Sequence, residues 1–156
     1  MQQYKKSKKL LLTLALVTGF GISVYSQTST IVCTSYKENF FHNGRWVGWT
    51  NYWEDFYNEP SVRITNADDG YYRLKYLVDG EVIMDYFVVY DADETKAKRK
   101  SLGNQNIYCY VDADGDYVWT ENVSLSSLTQ NVNLWKNSNA QFYLWSFSDG
   151  YAIALR

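Results

Sequence analysis

Apolar and polar side chains alternate along much of this chain after residue 27. The clearest example covers residues 73–78, where Leu74, Tyr76 and Val78 occupy every second position. A period of two predicts a strand with one buried face and one wet face. The following Asp79-Gly80 pair supplies the positive φ angles of a tight hairpin turn, and a second strand-like run covers residues 81–87. The pattern therefore predicts a β-hairpin here.

The same pattern recurs along the chain. Five turn signals lie between runs rich in aromatic and β-branched residues: Asn43-Gly44, Asp69-Gly70, Asp79-Gly80, Asp114-Gly115 and Asp149-Gly150. We predict an all-β antiparallel meander of about eight or nine strands. Consecutive hairpins favour an up-and-down, calycin-like barrel, and a two-sheet sandwich remains the alternative.

Two segments depart from this alternation. Residues 91–103 are polar and rich in basic side chains, and we predict an exposed loop. Residues 124–137 begin with Ser124, a residue type that caps helices, and place Leu125 and Leu128 near helical spacing. We predict a short helix near residues 125–135, packed across the end of the β-structure.

The start of the chain has the pattern of an export signal. Four lysines lie within residues 5–9, an apolar run covers residues 10–20, and residues 24–26 resemble a cleavage site. The apolar run is too short to span a bilayer comfortably. We therefore predict a secretory signal peptide over residues 1–26 and a single β-domain over residues 27–156. The expected location is the periplasm, the cell surface or the medium, with no stable membrane span after cleavage.

Charge narrows the choice of partner. The whole chain has a formal net charge of −2, and residues 27–156 carry 11 basic and 17 acidic side chains, a net charge of −6. Binding to phosphates needs a concentrated positive field, so this composition argues against nucleic acid as a partner.

Cys33 and Cys109 are the two cysteines of the chain, and both follow the predicted cleavage site. In an oxidising compartment they predict one disulfide, with two buried free thiols as the alternative. Their spacing contains no Cys-x-x-Cys motif, so a redox function is not expected.

Neither metal nor catalytic chemistry has a clear motif. Residues 112–116 contain three aspartates, but Tyr117 and Val123 stand where a calcium-binding EF-hand loop needs glycine and a bidentate acid. We predict a solvated turn, and no cofactor or metal is expected. The sole histidine, His42, lies beside a predicted turn without a nucleophile motif.

A carboxylate pair for glycoside hydrolysis has weak support. Glu54, Asp55 and Glu59 are the candidates, and nothing in their spacing places two of them across a sugar. We expect these three residues to form a polar loop, and we predict that the protein is not an enzyme.

Aromatic residues are the remaining lead. Trp46, Trp49, Tyr52 and Trp53 crowd into one predicted strand and its following loop. On a continuous strand, Trp49 and Trp53 share one face, and Trp46 and Tyr52 share the other. One of these faces is therefore expected to be accessible to a ligand.

We predict an exported non-catalytic binding domain that takes a glycan or a small apolar ligand through this aromatic face or a barrel cavity. The alternative is an envelope or surface protein that binds or inhibits another protein through hairpin tips and sheet edges.

Overall fold

The computed structural model describes residues 27–33, 36–51 and 60–156. The predicted signal peptide lies outside the described residues. So do the ligand candidates Tyr52 and Trp53 and the acidic residues Glu54, Asp55 and Glu59.

The described residues form eleven strands, three α-helices and one 3₁₀ segment. The strands are β1 Thr28–Val32, β2 Tyr36–His42, β3 Arg45–Trp46, β4 Thr50–Asn51, β5 Ser61–Asn66, β6 Tyr71–Val78, β7 Glu81–Asp91, β8 Ile107–Val111, β9 Tyr117–Glu121, β10 Gln141–Ser146 and β11 Tyr151–Leu155. The helices are α1 Ala92–Leu102, α2 Leu125–Gln130 and α3 Asn133–Ser138, and the 3₁₀ segment is Asp68–Gly70. The strand count exceeds the prediction because β3 and β4 are separate strands of two residues each.

The eleven strands belong to one sheet, and neighbouring strands pair in the antiparallel direction. The order is β1-β5-β6-β7-β8-β9-β10-β11-β2-β3, and β4 pairs with β2 off this path. The predicted all-β meander is confirmed from β5 to β11. All five predicted turns connect sequential strands, and Asp79 and Gly80 adopt φ angles of 54° and 81° in the hairpin between β6 and β7.

The ends of this sheet are close in sequence. β1 lies at one end of the path and β2 near the other, yet only residues 33–35 separate them. Four trans peptide steps limit the Cα–Cα distance between Val32 and Tyr36 to about 15 Å. The sheet must therefore curl. Within the described residues no ladder joins β1 to β2 or β3, so the predicted barrel closure is not confirmed.

The concave side of the sheet holds the main core. Fully buried side chains from β5, β6 and β10, such as Val62, Leu74 and Phe142, meet Leu125 and Leu128 of α2 there. Ser124 caps α2, since its hydroxyl accepts a hydrogen bond from the Ser127 amide at 3.2 Å. The predicted short helix is confirmed, with α3 following as a second one.

The predicted exposed loop at residues 91–103 is wrong, because residues 92–102 form helix α1 and residues 91 and 103 cap it. The Asp91 carboxylate accepts a hydrogen bond from the Glu94 amide at 2.8 Å, and Gly103 ends the helix with a φ of 64°. The helix packs on the outer face of β8, where the Thr95 hydroxyl accepts a hydrogen bond from the Cys109 amide at 2.9 Å.

The cysteines correct a second prediction, because both are free. Cys33 belongs to the main core with Ile31, whereas Cys109 lies beneath α1 with Ile107 and Trp119. Tyr110, the next residue of β8, joins the main core, so Cys109 points to the opposite face of the sheet. The two sulfur atoms therefore lie on opposite faces of the sheet, and the predicted disulfide is wrong.

Candidate functional site

Aromatic side chains cover the outer surface of one part of the sheet. In β10, Phe142 and Leu144 point into the core, so the alternating Tyr143 and Trp145 point outward. Trp119 of β9 lies directly opposite Tyr143 in the strand register. With their neighbours these residues form a continuous surface, which we call the aromatic face: Trp46, Trp49, Trp119, Tyr143, Trp145 and Phe147.

Four of these rings are nearly parallel. Trp119 stacks on Tyr143 with centroids 5.2 Å apart and on Trp145 with centroids 4.9 Å apart, and the interplanar angles are 18° and 16°. Phe147 continues the row, 5.8 Å from Trp145 at 17°. Cross-strand aromatic pairs of this kind stabilise a sheet and hold the rings in fixed orientations.

Trp46 of β3 and Trp49, which lies between β3 and β4, pack edge-on against this row. Trp46 lies 4.7 Å from Trp145 at 89°, and Trp49 lies 5.7 Å from Trp145 and 5.9 Å from Tyr143. Two of the four predicted ligand residues are therefore brought together around one ring.

Trp46 and Trp49 do not fall on opposite faces as the alternation predicts. β3 ends at Trp46, and Gly48 adopts a φ of 110° in the irregular segment that follows. The Gly48 amide donates a hydrogen bond to the Asn39 side-chain oxygen at 2.9 Å, which holds that segment against β2. This break in the strand returns Trp49 to the side occupied by Trp46.

The aromatic face opens into a cleft of about 350 Å³ beside the C-terminal end of α1. Trp119 is 5% exposed and forms part of the buried floor, whereas Trp49 is 37% exposed and forms a wall. The cleft is lined by Trp49, Leu102, Asn104, Ile107, Trp119, Glu121, Tyr143 and Trp145. An apolar cleft with a few polar groups is a typical small-ligand site.

Burial governs the electrostatics of this cleft. It raises the pKa of Glu121, and the nearby Tyr143 hydroxyl opposes that rise. Burial and the neighbouring Glu121 carboxylate together raise the pKa of Tyr143 to about 12. The single proton of the Tyr143 hydroxyl is donated to the Gln141 side-chain oxygen at 2.7 Å. Tyr143 therefore stays a neutral donor at physiological pH.

Two indole nitrogens and one ammonium add polar character to the aromatic floor. Among the described residues, the buried Nε1 atoms of Trp119 and Trp145 have no hydrogen-bond partner. The Lys98 Nζ atom lies 4.9 Å above the Trp119 ring and 3.4 Å from the Glu94 carboxylate. This cation–π contact ties helix α1 to the aromatic face.

The sequence predictions missed most of this surface. The predicted ligand residues do not include Trp119, Tyr143, Trp145, Phe147 or Glu121. A signal for three of them exists, because Tyr143, Trp145 and Phe147 follow one another at a period of two.

Other candidate sites gain little support. In the described ranges no set of three or more His, Cys, Asp or Glu side chains is arranged to hold a metal ion. The Asp112 carboxylate instead accepts hydrogen bonds from the backbone amides of Asp114 and Asp116, at 2.9 and 2.8 Å, which builds the β8–β9 turn. His42 is exposed at the end of β2. The helices of the described ranges all lack the length and apolar character needed to cross a membrane.

Comparison with known proteins gives no assignment. No protein-family model, curated protein or solved structure matches this chain. The assignment of function therefore rests on the geometry of the aromatic face.

Proposed function

We propose that this protein is an exported, non-catalytic binding domain that holds a glycan on its aromatic face. The observation that carries the proposal is the cleft in which the partly exposed Trp49 stands beside the fixed rings of Trp119, Tyr143 and Trp145. Rigid aromatic rings offer a large contact area at a small entropic cost, and the partly exposed ring of Trp49 suits the flat C–H face of a sugar. Glu121 and Asn104 supply hydrogen-bonding groups for hydroxyls.

Binding without hydrolysis fits the chemistry of the cleft. Among the described residues that line it, Glu121 is the single carboxyl group. Glycoside hydrolysis commonly uses two carboxyl groups about 5 to 9 Å apart across the scissile bond. A lone carboxylate can accept hydrogen bonds from sugar hydroxyls without completing that pair.

A small apolar ligand inside the sheet has less support than a glycan outside it. Tyr76, Tyr110 and Phe142 are among the largest side chains that fill the concave side. The proposal therefore places the ligand on the convex aromatic face. The residue pattern of the first 26 positions is the support for export to the periplasm, the cell surface or the medium.

A second candidate function, binding of a protein partner, rests on a different surface. Tyr71 and Phe87 stack on the outer face of β6 and β7 with centroids 4.9 Å apart and planes 6° apart. Val82 and Ile83 in β7 are also exposed. Exposed apolar side chains gathered on one surface are typical of protein interfaces.

Tryptophan fluorescence tests the glycan proposal. Protein expressed from the full chain is titrated with neutral and acidic polysaccharides and with fatty acids. We expect a saturable spectral change with at least one polysaccharide, and Trp49→Ala should weaken that binding about tenfold or more, as loss of a central aromatic contact commonly does.

Tyr71→Ala is the matched control, because Tyr71 is also 37% exposed but lies in the other aromatic cluster. It should leave glycan affinity unchanged. A silent polysaccharide panel, or equal affinity in Trp49→Ala and the parent protein, would overturn the proposal. A stable complex with another protein that Tyr71→Ala disrupts would favour the second candidate.

A further inference from the structure

Helix α1 borders a second cleft of about 360 Å³. Its lining includes three basic side chains, Lys96, Arg99 and Lys100, together with the exposed ring of Tyr90. The described residues that line this cleft include no Asp or Glu. A concentration of positive charge in one concavity is unusual for a chain with an overall acidic composition.

Arg99 is held in place within this basic cleft. Its Nε atom donates a hydrogen bond to the Ile107 carbonyl at 2.8 Å, and its guanidinium carbon lies 5.0 Å from the centre of the Tyr108 ring. These contacts fix the guanidinium and leave its terminal nitrogens to bind an anion. Arginine held in this way recognises planar oxyanions through paired hydrogen bonds.

The basic side chains of α1 divide into two sets. Lys98 pairs with Glu94 and lies over Trp119 on the aromatic face. By contrast, Lys96, Arg99 and Lys100 form no ion pair with any described residue. Their charge is therefore available to a ligand.

The two clefts border the C-terminal end of α1 from opposite sides. Leu102 and Asn104 line the aromatic cleft, and the next residue, Gln105, lines the basic cleft. A polymer that lies on the aromatic face therefore reaches the basic cleft by bending around this end of the helix.

We propose that the glycan bound by this protein is an acidic polysaccharide, whose carboxylate or sulfate groups bind in the basic cleft while neighbouring sugar rings stack on the aromatic face. This inference rests on the proposed function and names its ligand class. Arg99 binds the anionic group, Lys96 and Lys100 supply the surrounding positive charge, and Tyr90 offers a ring beside it.

Matched polymers test the inference, since each pair shares one backbone and differs in charge. Polygalacturonate is compared with its fully methyl-esterified form, and dextran sulfate with dextran, to separate carboxylate from sulfate recognition. With protein from the full chain at low salt, we expect at least one acidic polymer to bind about tenfold or more tighter than its neutral counterpart, with the preference falling as salt rises.

The double substitution Lys96→Gln and Lys100→Gln should remove most of this preference and leave binding of the neutral polymer unchanged. The control is Lys37→Gln with Arg63→Gln, which removes the same charge from exposed positions of β2 and β5. The control should keep the preference, because the effect depends on the cleft and not on net charge.

The outcomes separate this inference from the proposed function. Equal affinity for charged and neutral polymers, with Trp49→Ala still weakening both, would overturn the acidic ligand and keep the glycan-binding function. Equal losses in the cleft variant and the control would also overturn it. No binding to any of the polymers would overturn both.

Discussion

The position of each cysteine along the chain determines the burial, and so the reactivity, of its thiol. Burial raises the pKa of Cys33 to about 12 and that of Cys109 to about 11, so both thiols are protonated near neutral pH. Because the thiolate is the reactive form, we expect negligible modification in the folded protein. In denaturant without reductant, a thiol titration should find two reactive groups per chain.

Two outcomes of the same experiment would contradict the prediction. If the denatured, unreduced protein shows no free thiol, and two appear only after reduction, then the cysteines are bonded and the face assignment of Cys109 is wrong. Rapid modification of Cys109 in the folded protein would show instead that α1 does not cover it.

Helix α1 depends on the residue that precedes it. Asp91 caps the helix through the Glu94 amide and also accepts a hydrogen bond from the Tyr117 hydroxyl at 3.4 Å. Asp91→Ala should lower the free energy of unfolding by about 1 kcal/mol, the usual cost of losing a side-chain cap. Urea denaturation measures the change.

Asp91→Ser keeps a capping oxygen and should recover most of this loss. Asp93→Ala is the control, since Asp93 is exposed in the first turn of the same helix and does not cap it. If Asp91→Ala costs no more than Asp93→Ala, the cap does not hold the helix.

The elements differ in how far the sequence alone predicts them. Hairpins such as that at Asp79-Gly80 are predictable because two adjacent residues specify the turn. The signals for α1 are also local, because Asp91 precedes the helix and Gly103 follows it. The residues between them are mostly polar, so no apolar stripe indicates a helix. The prediction of an exposed loop at residues 91–103 is wrong because it follows the polar composition and not the capping residues.

The aromatic face shows the limit of sequence reasoning. The run at residues 46–53 predicts a ligand site because its tryptophans are close in sequence. The ring around which the face assembles is Trp145, which meets Trp46 and Trp119 through pairings of β2, β3, β9, β10 and β11. Such a meeting depends on strand order, and periodicity along one segment does not reveal it.

At the scale of the molecule, α2 joins the core of the sheet. Leu128 is fully buried, and its carbonyl accepts a hydrogen bond from the Ser29 hydroxyl of β1 at 3.0 Å. Leu128→Ala should lower the free energy of unfolding by about 2 to 5 kcal/mol through loss of burial and creation of a cavity. Chemical denaturation measures it.

Leu102→Ala makes the same chemical change at a side chain that is 56% exposed, and it should cost less than about 1 kcal/mol. Similar losses for the two variants would show that α2 does not complete the core.

The placement of β1 and β2 at opposite ends of the sheet also constrains the order of folding. β1 pairs with β5, about 35 residues later along the chain. β2 pairs with β11, the last strand of the chain, where Lys37 lies opposite Ala154. Loop entropy makes such distant pairings slow to form. The meander from β5 to β10 can assemble from neighbouring hairpins before β11 is available. We therefore expect β2 to join the sheet late, when β11 is in place, and Trp46 and Trp49 to reach Trp145 at that step.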